Sequence, residues 1–499
     1  MCAKHGEPIR GLISTKASRS YDGRFGRMFR SVPAARFGAT DPENVTNLTK
    51  LGAAMTSSFD PPRDGKAGEE SGIPALYTYF GQFIDHDITF DPASSLQKQN
   101  DPDALVDFRT PALDLDSLYG RGPADQPYLY DGETTFLLGN PIRGGSDPKA
   151  TDLPRNDAKP RRALVGDPRN DENAIVSQLH GLFLRFHNRN VTDNPGLTFA
   201  EVQRNVRFHY QHLVLYDFLP RIVHASVLSD LRSNGHYDRK KLKFFHWKQD
   251  PFMPVEFSVA SFRYGHAMVR SGYRLNDTIL LPIFPVLPHF PDGLDGFKAM
   301  HRNWGIEWGR FIDLEVRDDD GSEEVRARRL QFAHRIDTSL VNPLSLLPLP
   351  AESGPPSLAL RNLLRGWQMG LPTGQDVARA MGLTPLPDQD IRIGRDVDGP
   401  ATPLTRIVDV DPVFTDNCPL WTYVLAEAMQ FKQPVRIPVT ENFTVPTPQL
   451  GPVGGRIVAE VLLGLIFGDP NSILNLAPDW RPTKPDFALR DFVGHALGK

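Results

Sequence analysis

The sequence predicts a mainly α fold: a single large helical domain with long ordered loops and little β structure. Three observations carry this. Apolar residues recur at helical spacing in several segments, as in Ile175, Leu179, Leu182, Phe183 and Phe186. No stretch shows sustained strand-like alternation, and no internal repeat is visible. The 45 prolines and 41 glycines are spread along the chain rather than concentrated, which predicts many ordered connections between helices.

Residues 1–70 hold Pro33, Pro42, Pro61 and Pro62 without sustained periodicity, so they are expected to form an N-terminal arm laid over a domain of residues 71–499. Pro74 then opens a helix carrying YTYFGQFIDHDITFDP, Tyr77 to Pro92. Gln82, Asp85 and His86 stand at i, i+3 and i+4 there and share one face, while Asp87 is turned about 100° from His86. Polar groups set so tightly among Phe80, Phe83, Ile84 and Ile88 require partners or a task. An imidazole, a carboxylate and an amide on one face suit a cofactor pocket.

RTPALDLDSLYG, Arg109 to Gly120, offers Asp114, Asp116, the Thr110 hydroxyl and backbone carbonyls, the hard oxygen donors that calcium takes, without EF-hand spacing. GDPRNDEN brings Arg169 and Glu172 to the start of the helix that follows. His180 and His187 on that helix are seven apart, a spacing that favours ordinary packing or surface roles over metal ligation. Thr198 and Glu201 have capping-box spacing before the next helix. PVEFSVASFRYGHAMVR (254–270) predicts a buried helix with Arg263 and His266 at i, i+3, and SLALRNLLRGWQMG (357–370) a helix carrying Asn362. Residues 373–381, 416–430 and 455–467 are further expected helices. The charged stretch 317–335 is expected on the surface.

Composition excludes some functions. With 56 Lys+Arg against 60 Asp+Glu and no basic tract, neither nucleic acid nor an anionic membrane is an expected partner. Two cysteines make no disulfide framework, and the longest apolar run is too short to span a bilayer. The first residues carry no apolar signal core, so the expected location is cytoplasmic, or outside by a route without a signal peptide. Oligomeric state is left open.

GQFIDHD, LDLDSLYG, GDPRNDE, FRYGH, LRNLLRG and LGPVGGRIVAEVL occur in that order, and together they resemble the animal-type haem peroxidases. This is the peroxidase–cyclooxygenase superfamily, of myeloperoxidase and lactoperoxidase type, and the likeness is to bacterial members without a signal peptide. It covers roughly residues 70–480 and implies haem b between two helices. His86 matches the distal acid–base histidine, Arg169 the distal arginine and Gln82 the glutamine that bonds distal water or halide. His266 matches the proximal iron ligand, Asn362 the amide that accepts its N–H, and Arg263 the arginine that pairs a haem propionate.

Asp85 and Glu172 match the carboxylates that form haem esters, so ester-linked haem is chemically open; Asn173 stands where a linking methionine occurs in myeloperoxidase. Asp87, Thr110, the Ala112 carbonyl, Asp114 and Asp116 match a calcium site, with Asp116 replacing a serine. The implied activity is reduction of hydrogen peroxide with oxidation of small phenols, amines or halides. One alternative is a fatty-acid dioxygenase or cyclooxygenase-like enzyme, which needs a tyrosine three residues before the proximal histidine, where this chain has Arg263. Another is a non-catalytic haem-binding interaction protein, which would need none of His86, Arg169 and Gln82.

Overall fold

The computed structural model describes residues 23–57, 68–90, 106–107, 109–248, 250–285, 291–314, 329–348, 354–397, 404–436 and 444–499. It is mainly helical, and its described strands pair into sheets of two or three short members. Strand β1 (Gly23–Gly26) leads to helix α1 (Asp41–Ala54), and β2 (Glu70–Pro74) to α2 (Leu76–Ile88). After β3 (Val106–Asp107) come α3 (Ala174–Asp193), α4 (Phe199–Leu213) and β4 (Met253–Pro254). The second half holds β5 (Phe332–His334), α5 (Leu358–Gln368), α6 (Gly374–Ala380) and α7 (Leu420–Ala428). The hairpin of β6 (Lys432–Arg436) and β7 (Thr444–Pro448), then α8 (Gly454–Gly468) and α9 (Leu489–Leu497), complete the chain.

Helix α2 is buried on almost every side. It has no side-chain cap; Ala75 N–H donates to the Gln331 carbonyl at 2.9 Å and Leu76 N–H to that of Phe311 at 3.0 Å. Tertiary carbonyls thus satisfy amides that an exposed helix would cap with a side chain. Its inner face is aromatic: Phe83 stacks on Phe183 of α3 with centroids 4.4 Å apart, and Phe80 meets Tyr210 of α4 edge-on at 6.2 Å. Phe183 continues to Phe492 of α9. Each such side chain contributes about 1.5–3 kcal/mol by leaving water, so α2 is fixed by packing rather than propensity.

Two expectations are corrected. The expected arm of residues 1–70, read as lacking sustained periodicity, contains helix α1 with a full capping box between Thr40 and Glu43. Its buried face is Asn44, Leu48, Leu51 and Gly52, packed against α5. That spacing is helical, but half the face is not apolar. The stretch 317–335 is also not simply surface: residues 315–328 lie outside the described set, but 329–335 are buried, with β5 pairing antiparallel to β2. Arg329 is buried there because the Glu70 carboxylate meets it. The Thr198 capping box and the helices predicted around Asn362, 373–381, 416–430 and 455–467 are present.

His187 is buried on α3, with Nδ1 3.0 Å from the Tyr119 hydroxyl and Nε2 2.8 Å from the Thr134 carbonyl. Burial lowers its pKa to about 4, against the Thr134 bond, which raises it. Between about pH 6.5 and 4 the unfolded chain therefore binds a proton that the fold excludes, and stability falls as pH falls through that window. His187→Gln lacks this penalty. The stability difference between wild type and variant should narrow by about 2 kcal/mol from pH 7 to pH 5 in denaturant titrations, and a constant difference would refute it.

Candidate active site

Helix α2, the turn before α3, the segment after β4 and helix α5 together line a cavity of about 1000 Å³. Gln82, Asp85, His86, Arg169, Glu172, Arg263 and His266, seven residues spread over 185 positions of sequence, all reach its wall. Asp87 does not: it faces away into the 110–117 loop, as its rotation from His86 requires, and accepts from Leu115 N–H at 3.1 Å and the Ser117 hydroxyl at 3.0 Å.

On the α2 side, His86 Nδ1 lies 2.9 Å from Asn170 Oδ1, and Nε2 lies 3.4 Å from Glu172 Oε1. Gln82 donates to that same Glu172 oxygen, and its carbonyl accepts from Asn173 at 3.2 Å. Asp85 accepts from the Thr89 hydroxyl at 3.1 Å. Arg169 donates to the carbonyls of His86 (3.1 Å) and Thr89, and its guanidinium lies over the Phe90 ring. It thereby closes the C-terminal end of α2, where a cation is favoured by unsatisfied carbonyls. Buried Asp167 holds Arg169 at 3.1 and 2.9 Å and also pairs with Arg109. These cations keep the Asp167 carboxyl well below the ordinary range against the opposing effect of burial.

His266 does not sit in a regular α-helix. Glu256–Ala260 is π-helical, the backbone breaks at Ala260 (φ −128°, ψ −74°), and Ser261–His266 is a 3₁₀ turn. The apolar pattern of 254–270 hides this. The cause is tertiary: the buried Glu256 carboxylate accepts Met28 and Phe29 N–H at 3.1 and 3.0 Å, while Trp421 Nε1 donates to the Arg263 carbonyl at 3.2 Å. With three residues per turn, Arg263 and His266 eclipse each other and both reach the cavity.

Asn362 on α5 joins them, in an orientation opposite to the expected one. Its oxygen accepts from Arg263 Nη1 at 2.8 Å, and its amide nitrogen lies 2.9 Å from His266 Nδ1. A guanidinium has donors only, so it claims the amide oxygen that was expected to face the imidazole. Burial lowers the His266 pKa to about 3, with a further contribution from Arg263. It is therefore a neutral imidazole; with the Asn362 amide donating to Nδ1 its one ring proton lies on Nε2, and the amide must turn before Nε2 can take a metal.

The cavity also shows residues that the sequence did not single out. Arg361 and Arg365 of α5 line it beside Arg263. Burial, offset by Asp85 and reinforced by Arg365, brings the Arg263 pKa down to about 10. An apolar cavity of macrocycle size with a neutral imidazole on its wall and three guanidiniums at one side fits haem b, whose propionates would meet the cations. LRNLLRG contained the signal for Arg365, three residues after Asn362. Asn170, which meets His86, carries no such signal, and His180, expected as a packing or surface residue, meets Asn170.

In the neighbouring loop, ligand atoms of Asp87, Asp114 and Asp116 lie within 4.8 Å of one another. Thr110 Oγ1 donates to Asp114 at 2.8 Å, and Ala112 N–H donates to the Thr110 carbonyl at 2.8 Å. Burial and then Asp114 push the Asp87 pKa up to about 7; Asp116 is raised by burial against the opposing Arg109, 3.5 Å away. Three crowded carboxylates with one shared guanidinium fit a hard cation, which would reverse both shifts.

The chain is similar to known proteins. Residues 94–282 match the family model described as animal haem peroxidase. Human thyroid peroxidase is 28% identical over 232 residues, 45% of this chain and 23% of that protein. A peroxidase-like protein of Margaritifera margaritifera is 30% identical over 234 residues, covering 42% of this chain and 26% of the other. The matched stretch thus spans about a quarter of these relatives' length. Among solved structures, peroxidase A of Dictyostelium discoideum superposes with a TM-score of 0.60 at 16% identity, over 96% of this chain and 94% of that one. An Oryza sativa fatty acid alpha-dioxygenase with palmitic acid gives 0.51 at 13% identity, over 96% and 79%. The fold is that of the helical haem peroxidases. Within residues 94–282 the chain is similar to the animal haem peroxidase family.

Proposed function

We propose that this chain is a haem peroxidase that reduces hydrogen peroxide and oxidises small phenols, amines or halides. The supporting observation is that His86, Arg169 and Gln82 share one cavity with a neutral His266. Bound haem b would supply redox-active iron that peroxide oxidises and small donors then reduce. His86 accepts a proton from the near peroxide oxygen and returns it to the far one, work for which an imidazole suits neutral pH. Arg169 adds fixed positive charge beside it, tempered by Asp167. Gln82 presents an amide for water or halide. His266 Nε2 would hold the iron, and Arg263, Arg361 and Arg365 the propionates. Drawn to a propionate, Arg263 would release the Asn362 oxygen, which could then turn to accept the His266 N–H.

The first test is the optical spectrum of haem-reconstituted protein before and after stoichiometric hydrogen peroxide. A rapid change reversed by a phenol or bromide supports the reading; a spectrum indifferent to peroxide refutes it. Acid–acetone extraction that leaves haem on the chain would support esters at Asp85 or Glu172. His266→Ala should abolish the histidine-ligated ferric spectrum at matched protein concentration, and an unchanged spectrum would place the ligand elsewhere.

Calcium is proposed at Asp87, Asp114 and Asp116, with Thr110 and the Ala112 carbonyl. Elemental analysis of gently purified protein should find one equivalent, and none would reject the site. Tyr264 favours the oxygenase reading to one extent only, because it lines the cavity two residues before His266. The position three residues before is Arg263, engaged with Asn362. Oxygen uptake with a fatty acid should therefore be absent.

A further inference from the structure

His86 is held from behind by a chain of buried groups outside the proposed catalytic set. Asn170 is fully buried and spends both ends of its amide: Oδ1 lies 2.9 Å from His86 Nδ1, and Nδ2 lies 3.0 Å from His180 Nδ1. Its backbone is fixed in the 3₁₀ turn Pro168–Asp171, with its N–H on the Asp167 carbonyl at 3.1 Å. His180 is buried on α3, its ring edge-on to Phe83.

We propose that Asn170 and His180 are positioning residues that hold a proton on His86 Nδ1, so that Nε2 is the ring nitrogen that serves the cavity. Donor and acceptor capacity sets both tautomers. An amide oxygen only accepts, so His86 Nδ1 must carry the proton that it receives. In the neutral ring this leaves Nε2 as a lone pair, set against Glu172 Oε1 3.4 Å away, which favours a proton there. The amide nitrogen only donates, so His180 Nδ1 must be the unprotonated nitrogen of that ring.

Burial supports this assignment, holding the His180 pKa at about 3 against the nearby Asp167, so that ring stays neutral. A flipped amide would do the opposite. His180 would then donate to Asn170, Asn170 to His86 Nδ1, and the His86 proton would sit on Nε2 towards Glu172. The base nitrogen would be occupied before any peroxide arrived. The amide orientation thus selects a catalytically ready ring from an inactive one, a function of supporting groups that lock a side chain's geometry and tautomer.

The proposal rests on the peroxidase reading for its consequence but not for its test. The full chain, labelled with ¹⁵N-histidine and loaded with diamagnetic zinc protoporphyrin IX, is examined by two-bond ¹H–¹⁵N correlation, with His86 and His180 assigned from the signals lost in His86→Gln and His180→Gln. Expected are an N–H at Nδ1 for His86, and a bare Nδ1 for His180. A bare His86 Nδ1 with an N–H at His180 Nδ1 overturns the proposal, and this outcome is read on wild type, so no variant need fold. Failure to bind the porphyrin would count against the haem reading alone, because the tautomers are also visible in the unloaded chain.

Asn170→Leu should mix the two His86 tautomers and slow the peroxide reaction of haem-loaded protein about a hundredfold at unchanged haem content. Asn170→Asp keeps an acceptor towards His86 and should retain the Nδ1–H form. Leucine without effect on the His86 pattern would also refute the role.

Discussion

His86→Ala is expected to slow the spectral response to hydrogen peroxide by about 10²–10⁴-fold, the range typical for loss of a positioned acid–base group. Haem content should not change, because the proposed iron ligand is His266 on a different segment. The two effects separate cleanly in stopped-flow spectra at equal haem concentration. Removing the ring leaves Glu172 and Gln82 paired to each other, and neither offers the Nε2 that faces the cavity. The remaining charge of Arg169 is anchored to Asp167 and to the backbone end of α2, so it stays in place. It sets a floor of residual reactivity but cannot shuttle a proton, since a guanidinium does not deprotonate. Unchanged peroxide reactivity in this variant would sink the assignment of His86.

Much of this site was legible in the sequence because its parts are local. Gln82, Asp85 and His86 share a helix face by spacing alone, and the same spacing turned Asp87 to the neighbouring loop, where it is found. Helical periodicity located α3 to α8 for the same reason. Helix α1 escaped because Asn44 and Gly52 occupy half its buried face. A pattern search for apolar residues does not register a buried asparagine that accepts Phe37 N–H and donates to the Gly38 and Thr40 carbonyls.

What sequence did not reveal is set by contacts between distant segments. The π and 3₁₀ turns carrying Arg263 and His266 depend on Glu256 capturing backbone amides of residues 28 and 29. The end of Asn362 that faces His266 depends on Arg263 having no acceptor to offer. Both are outcomes of competition for hydrogen bonds, and identity and spacing do not disclose who wins. His180, seven residues before His187, reads in the sequence as a packing or surface residue. Burial makes it the former, yet its free ring nitrogen meets the amide that orients His86.

The largest expected loss of stability is at Glu70, far from any reacting atom. Its buried carboxylate meets the guanidiniums of Arg270 and Arg329, and its carbonyl accepts from Arg335 at 3.2 Å. Glu70 begins β2, which runs directly into α2 and His86; Arg270 follows His266 by four residues, and Arg329 leads into β5. One carboxylate therefore ties both walls of the cavity to the strand pair beneath them. Glu70→Ala removes the carboxylate shared by two buried cations and should cost about 3–5 kcal/mol, the range for breaking a buried pair from one side. The exposed pair Lys50–Asp411, at 2.6 Å, is the control: Lys50→Ala should cost under about 1 kcal/mol, because solvent screens it and the lysine loses rotamer freedom in pairing. Denaturant midpoints at one pH compare the two. Because the same tie positions His86 and His266, Glu70→Ala should also weaken haem retention, while Lys50→Ala should not. A Glu70 variant within 1 kcal/mol of wild type would mean that the two arginines find other partners, and that the cavity walls are held by aromatic packing alone.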